Sequence, residues 1–97
     1  MPVSFNLEAL AEAEDAAYWY REQGGNEASE SFSLEVERVA RLAGMRPELG
    51  SPGAHRTRRL YLKRFPYTLI YRVQSGTVRI IAVAHQSRRP GYWAGRR

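Results

Sequence analysis

Cysteine is absent from all 97 residues, which excludes a disulfide framework or a thiolate metal site and suits a reducing compartment. No apolar run approaches the roughly 18 residues that a membrane-spanning helix needs. The opening M-P-V-S-F-N-L-E has neither a basic n-region nor an apolar core. No signal peptide is expected, and the chain reads as soluble and cytoplasmic. The absence that organises the sequence is one of carboxylates. From His55 to Arg97 there is no Asp or Glu, against eleven Lys and Arg, while the first 54 residues hold all ten carboxylates and four cations. The net charge of +5 thus divides into −6 before His55 and +11 from it onward. A segment with no carboxylate of its own carries a strong positive potential, which attracts phosphate or an acidic protein segment. The pI of about 10.1 puts nucleic acid first among partners to consider.

Glycine and proline are missing from Leu7 to Gln23, an alanine-rich stretch preceded by Asn6, a good N-cap residue. The stretch predicts a helix. Leu7, Leu10, Ala13, Ala17 and Tyr20, with Trp19 beside them, recur at helical spacing and leave Glu8, Glu12, Asp15 and Glu22 for water. Gly24-Gly25 ends this helix and Asn26 can cap the next, over Glu27 to Ala43, with Phe32, Val36, Val39 and Ala43 on its inner face. Glu35/Arg38 and Glu37/Arg41 form ion-pair spacings on its exposed side. The two helices make an αα-hairpin that serves as scaffold.

Before them, Val3-Ser4-Phe5 alternates as a short strand. After them, Gly44 to Ala54, with two prolines and three glycines, is a loop between the acidic helical half and the basic half. Three strands follow, over 56–62, 67–73 and 78–85, turned by Phe65-Pro66 and Ser75-Gly76. V-R-I-I-A-V-A-H is apolar on both faces apart from Arg79, so the last strand is expected to be covered on both sides, by the helix pair and by a tail in which Tyr92 and Trp93 fold back. The order β-α-α-β-β-β makes residues 1–97 one α+β domain on a mainly antiparallel sheet, of a size that buries about 60–70% of its unfolded surface.

Side chains alternate across a strand, so parity sorts the charges. Arg79, Ile81, Val83 and His85 fall on one face of the last strand, and Val78, Ile80, Ala82 and Ala84 on the other. In the middle strand Arg72 goes with Ile70 and Thr68, opposite Leu69, Tyr71 and Val73. With the helices on the more apolar face, Arg72, Arg79 and His85 are expected on the open side with Arg59 or Arg58. Arg88, Arg89 and Tyr92 follow directly. Guanidiniums bind phosphate bidentately, and an aromatic ring offers a stacking surface to an unpaired base. A solvated charge is the ordinary reading of any one arginine, but eleven cations without a carboxylate form a field. His55 has no assigned role.

The segment R-R-L-Y-L-K-R-F-P-Y-T-L-I-Y-R-V, with its F-P-Y-x-x-x-Y step at Phe65–Tyr71, and the ending A-V-x-H-x-x-R-x-P-x-Y-W at Ala82–Trp93 resemble the RelE/ParE toxins of bacterial type II toxin–antitoxin systems. The resemblance covers essentially the whole chain. It implies a compact α/β toxin with an antiparallel sheet, neutralised by a small antitoxin that wraps around it through an acidic, amphipathic segment. RelE-like members cleave mRNA on the ribosome, whereas ParE-like members inhibit DNA gyrase and lack the nuclease residues. The positions matching the RelE-like active face are Arg59 and Lys63 near the first sheet strand, Arg72 in the middle one, His85 and Arg88 after the last, and Tyr92 in the tail.

Two activities follow as expectations. A metal-independent endoribonuclease needs a base for the 2′-hydroxyl, cations for the phosphate and an acid for the leaving oxygen. His85, Arg88 and Tyr92 are its catalytic candidates, with Arg59, Lys63, Arg72, Arg79 and Arg89 holding substrate. No cofactor or metal is called for. Tyr92 would then need a pKa below the usual value of about 10, lowered by neighbouring cations. The alternative is a non-enzymatic inhibitor of gyrase that docks through the basic face or the first helix. The residues favour the ribonuclease slightly.

Overall fold

A computed structural model describes residues 1–97. Strand β1 (Val3–Phe5) leads through Asn6 into helix α1 (Leu7–Gly24), followed by helix α2 (Asn26–Met45). Asn6 caps as its side chain predicts: extended at ψ 165°, its Oδ1 accepts from Ala9 N at 2.7 Å. Gly25, with φ 88°, closes α1 by donating to Arg21 O and stands directly before α2. A left-handed φ is what glycine supplies without steric cost, so Gly25 takes the junction and Asn26, expected as a cap, enters the helix.

After α2 the chain forms β2 (Ser51–Pro52), a 3-10 turn over Ala54–Arg56, then β3 (Arg58–Tyr61), β4 (Tyr67–Gln74) and β5 (Thr77–His85). The sheet order is β1-β5-β4-β3-β2. All pairings are antiparallel except β1 with β5, which run parallel. Two helices on a five-stranded mixed sheet make the expected α+β fold. The strand bounds differ in places from the sequence reading. Ser51–Pro52 adds a short edge strand in what reads as loop, proline being tolerated at an edge where no ladder N–H is required. Conversely, Arg56 and Thr57 lie outside β3, because His55 and Arg56 both have left-handed φ (58° and 59°).

The helices cover one sheet face. Phe32, Val36, Val39 and Ala43 of α2 are buried as expected, against Leu69, Tyr71, Val78, Ile80 and Val83. Helix α1 keeps part of its expected inner face, with Ala13, Ala17 and Tyr20 packed against the core, but Leu7 and Leu10 fall outside it. Ala9 and Ala16 are its buried residues, while Leu7 is 81% exposed and Trp19 55%. Small alanines let α1 approach the sheet closely, which brings Glu12 inward rather than leaving it to water. Glu35 is also buried, not exposed: its carboxylate takes Arg38 at 2.8 Å and the main-chain N–H of Lys63 at 2.6 Å, tying α2 to the β3–β4 turn.

A single extra residue decides the other face. Tyr71 pairs with Ile80, but Ile70 pairs with Ala82, so Ile81 is the inserted residue of a β-bulge. Strict alternation fails at that point. Ile81, Ala82 and Ala84 pack with Ile70 and buried Trp93 in a second apolar cluster, whereas Val83 joins the helix-side core. His85 moves with Val83 and lies edge-on against Tyr67 at 5.0 Å. The expected set Arg79, Ile81, Val83, His85 is therefore cut in two. The tail does fold back over the sheet, as V-R-I-I-A-V-A-H requires.

Candidate functional site

The chain after β5 descends in turns, Arg88 N bonding His85 O and Tyr92 N bonding Arg89 O, and its Trp93 is inserted against the sheet. Between this segment and the ends of β3, β4 and β5 lies an open pocket of about 250 Å³. Its walls include Arg59 and Tyr61 from β3, Thr68 and Ile70 from β4, His85 from β5, and Gln86, Arg88, Arg89 and Tyr92 from the tail. Arg59, Arg88 and Arg89 are exposed, and neither of the two ion pairs in the chain involves them. No carboxylate lines the pocket. Three guanidiniums without a carboxylate partner in one concavity are suited to bidentate capture of carboxylate or phosphate.

Five of the eight candidate residues thus come together: Arg59, His85, Arg88, Arg89 and Tyr92. The other three do not line the pocket. Lys63 lies in the β3–β4 turn, its main chain bound to Glu35. Arg72 donates to His55 O at 3.0 Å and Arg96 O at 3.3 Å. Arg79 donates to Ser4 Oγ and Phe5 O, both at 3.1 Å, and to Arg97 O at 3.4 Å. These two arginines share a face with the pocket but are engaged by main chain. His55 presents its carbonyl to Arg72 and its ring edge-on to Trp93 at 6.2 Å.

Tyr92 departs from what acid–base work requires. Its hydroxyl donates to Glu12 Oε2 at 2.6 Å, and the guanidinium of Arg88 sits 3.9 Å from its ring centroid. Burial, then the hydrogen bond and negative charge of Glu12, push the phenol pKa up, outweighing the opposing pull of Arg96 and Arg88. The sequence reading needed the reverse. Its error was to count only the cations of the second half. Glu12 arrives from α1, 80 positions away.

His85 is committed on one side. Its Nδ1 faces both Ser87 N at 3.0 Å and Ser87 Oγ at 2.7 Å. A main-chain N–H can only donate, so Nδ1 is the acceptor and the neutral ring carries its proton on Nε2. In that tautomer Nε2 offers a hydrogen bond and cannot take a proton. The residues that sequence reasoning missed are Glu12, read as a solvated face, and Arg96, read only as part of a basic tail. Tyr61 and Gln86 were not singled out either. Strand parity does place Tyr61 with Arg59, whereas nothing local marks Glu12.

Residues 3–90 match the family model described as the ParE toxin of type II toxin–antitoxin system, parDE. No curated protein matches the chain at a significant level. Among solved structures, a chain of the chromosomal ParDE toxin–antitoxin system from P. aeruginosa superposes with a TM-score of 0.78 at 17% identity, covering 88% of this chain and 95% of that one. At that identity the likeness speaks for the fold, and the family model carries the assignment. The chain belongs to the ParE toxin family of type II toxin–antitoxin systems, within the RelE/ParE superfamily.

Proposed function

We propose that this toxin arrests growth by docking on DNA gyrase through the cationic pocket, without catalysing a reaction. The observation that carries the reading is the state of the two acid–base candidates. Tyr92 holds its proton tightly against Glu12, and His85 accepts a main-chain N–H at Nδ1 and so presents a donor at Nε2. What the pocket offers instead is Arg59, Arg88 and Arg89, which recognise carboxylates on a protein surface as readily as phosphates. The ranking suggested by the residues alone is thereby reversed. Purified toxin is expected to inhibit supercoiling by purified gyrase, and Arg59→Glu to relieve the inhibition. Unimpaired supercoiling at saturating toxin would overturn the reading.

The ribonuclease reading keeps one observation in its favour, namely that His85, Arg88 and Tyr92 do line one pocket. Substrate binding would have to break the Tyr92–Glu12 bond before Tyr92 could act, and the Ser87 N–His85 Nδ1 bond before that nitrogen could take a proton. Primer extension on abundant mRNAs after induction separates the two. New 5′ ends with unchanged plasmid topology favour cleavage, and intact mRNA with altered topology favours gyrase.

As half of a two-component system, the toxin has a cognate antitoxin for a partner. An acidic stretch of that antitoxin belongs at Arg59, Arg88 and Arg89. Its apolar anchors belong in the groove between α1 and α2, where Leu10, Ala13, Phe32 and Val36 are flanked by Glu14 and Glu37. The acidic part therefore suits the sheet face and not the helical groove.

A further inference from the structure

We propose that Glu12 is the latch that seats the segment from Gln86 to Arg97 on the sheet and so assembles the cationic pocket. The segment needs such a device. Its own structure is a run of turns, yet it supplies Arg88, Arg89 and Tyr92 to the pocket rim. Trp93 anchors it through burial. Arg72 and Arg79 reach only the carbonyls of its last two residues, at 3.3 and 3.4 Å, and Gln86 N bonds Pro66 O at its start; the side-chain hold between them converges on one carboxylate. Glu12 accepts from Tyr92 Oη at 2.6 Å and from Arg96 Nη1 and Nη2 at 2.8 and 3.1 Å. Arg96 and Glu12 are each only 16% exposed, so this pair is shielded from the water that weakens surface salt bridges.

The same pair solves a problem of the sheet. β1 pairs with β5 only from Val78 to Ile80, and beyond that the outer edge of β5 has no neighbouring strand. Two of its main-chain groups are taken by the latch: Val83 N donates to Glu12 Oε1 at 3.0 Å, and Ile81 O accepts from Arg96 Nη1 at 3.2 Å. An acceptor and a donor joined by their own ion pair thus stand in for a missing strand, which closes an edge that would otherwise be open. The bulge at Ile81 places these groups. Tyr92, Trp93 and Arg96 all lie past the residues matched by the family model, which ends at 90. The latch is therefore a property read from this chain. It concerns how the pocket is built and does not depend on what the pocket binds.

Limited trypsin digestion of the purified chain tests it, with Arg88 as the tail site and Arg21 and Arg41, each within a helix, as reference sites. Glu12→Gln and Arg96→Ala are each expected to raise cleavage after Arg88 by about tenfold, the factor that loss of a charged hydrogen bond brings, while the reference sites stay at the wild-type rate. In Glu12→Gln the Tyr92 phenol is also expected to ionise at lower pH than in wild type. Wild-type protection of the tail in both variants overturns the proposal. So does equal acceleration at tail and reference sites, which would make Glu12 a residue of general stability only. Because Arg96→Ala leaves the Glu12 bond to Val83 N in place, it keeps the test open if Glu12→Gln fails to fold.

Discussion

Arg72 and Arg79 are direct cross-strand partners on the face of the sheet that the tail covers, and each guanidinium is held mainly by main-chain carbonyls. Like charges placed opposite one another are ordinarily destabilising. Here the carbonyls of His55 and Arg96 take Arg72, and the Ser4 hydroxyl with the carbonyls of Phe5 and Arg97 takes Arg79. Arg72→Ala or Arg79→Ala is therefore expected to lower stability by about 1 kcal/mol in urea unfolding, a structural cost distinct from any loss of target binding.

The pocket arginines should behave in the opposite way. Arg59 and Arg89 are exposed and outside both ion pairs, so Arg59→Glu or Arg89→Glu is expected to change stability by less than about 0.5 kcal/mol. Growth arrest on induction should nevertheless be lost. Binding of wild-type toxin to its target should weaken as salt rises, because exposed charges are screened. Titrating target binding against ionic strength, beside thermal unfolding of the variants, measures both effects.

Tyrosine ionisation reports the Glu12 contact. Burial raises the pKa of Tyr20 and Tyr67, the latter also through the charge of Tyr20, and burial with Glu12 raises that of Tyr92. A group with a raised folded pKa stabilises the fold fully below its unfolded value and loses that contribution as pH rises through the folded one. Stability is thus expected to fall above pH ~10. Part of that fall should vanish in Tyr92→Phe, and ultraviolet titration of the phenolates in the two proteins checks it.

Glu35 sets the acid limit. The hydrogen bonds from Arg38, outweighing burial and aided by Lys63, hold its carboxyl below the usual range. A lowered folded pKa stabilises above the unfolded value, and the contribution is lost as pH falls through the folded one. Glu35→Gln is expected to cost about 2 kcal/mol at neutral pH and to flatten the decline of stability on acidification, read from urea midpoints across pH 3–7.

Trp93 seals the second apolar cluster and is 7% exposed. Trp93→Ala is expected to cost about 3–5 kcal/mol, or to leave the tail unseated with Ile70, Ile81, Ala82 and Ala84 uncovered. Binding of a hydrophobic dye together with trypsin cleavage after Arg88 distinguishes the second outcome from simple unfolding.

Composition and local pattern determined much of this protein. The cap at Asn6, the inner face of α2, the strand order in the chain, the burial of V-R-I-I-A-V-A-H and the segregation of charge into two halves all follow from nearest neighbours along the chain. F-P-Y-x-x-x-Y and the tail motif pointed to the superfamily. Parity placed Arg59 with Tyr61 and Arg72 with Ile70, because β3 and β4 are regular where those residues lie. What parity could not supply was the bulge at Ile81, an insertion relative to a partner strand that has no signature in the strand itself. It moved Val83 and His85 to the other face. Periodicity placed Ala13, Ala17 and Tyr20 of α1 against the core but missed that Leu7 and Leu10 stay exposed, since alanines bury little and leave the exact rotation to the surface they meet. That rotation brought Glu12 inward. Whether Tyr92 is primed or locked then depended on a carboxylate 80 positions away, and which arginines are free on the distant carbonyls that Arg72 and Arg79 meet. Such long-range pairing belongs to the tertiary structure, because the free energy of a charge is set by whatever the fold places beside it.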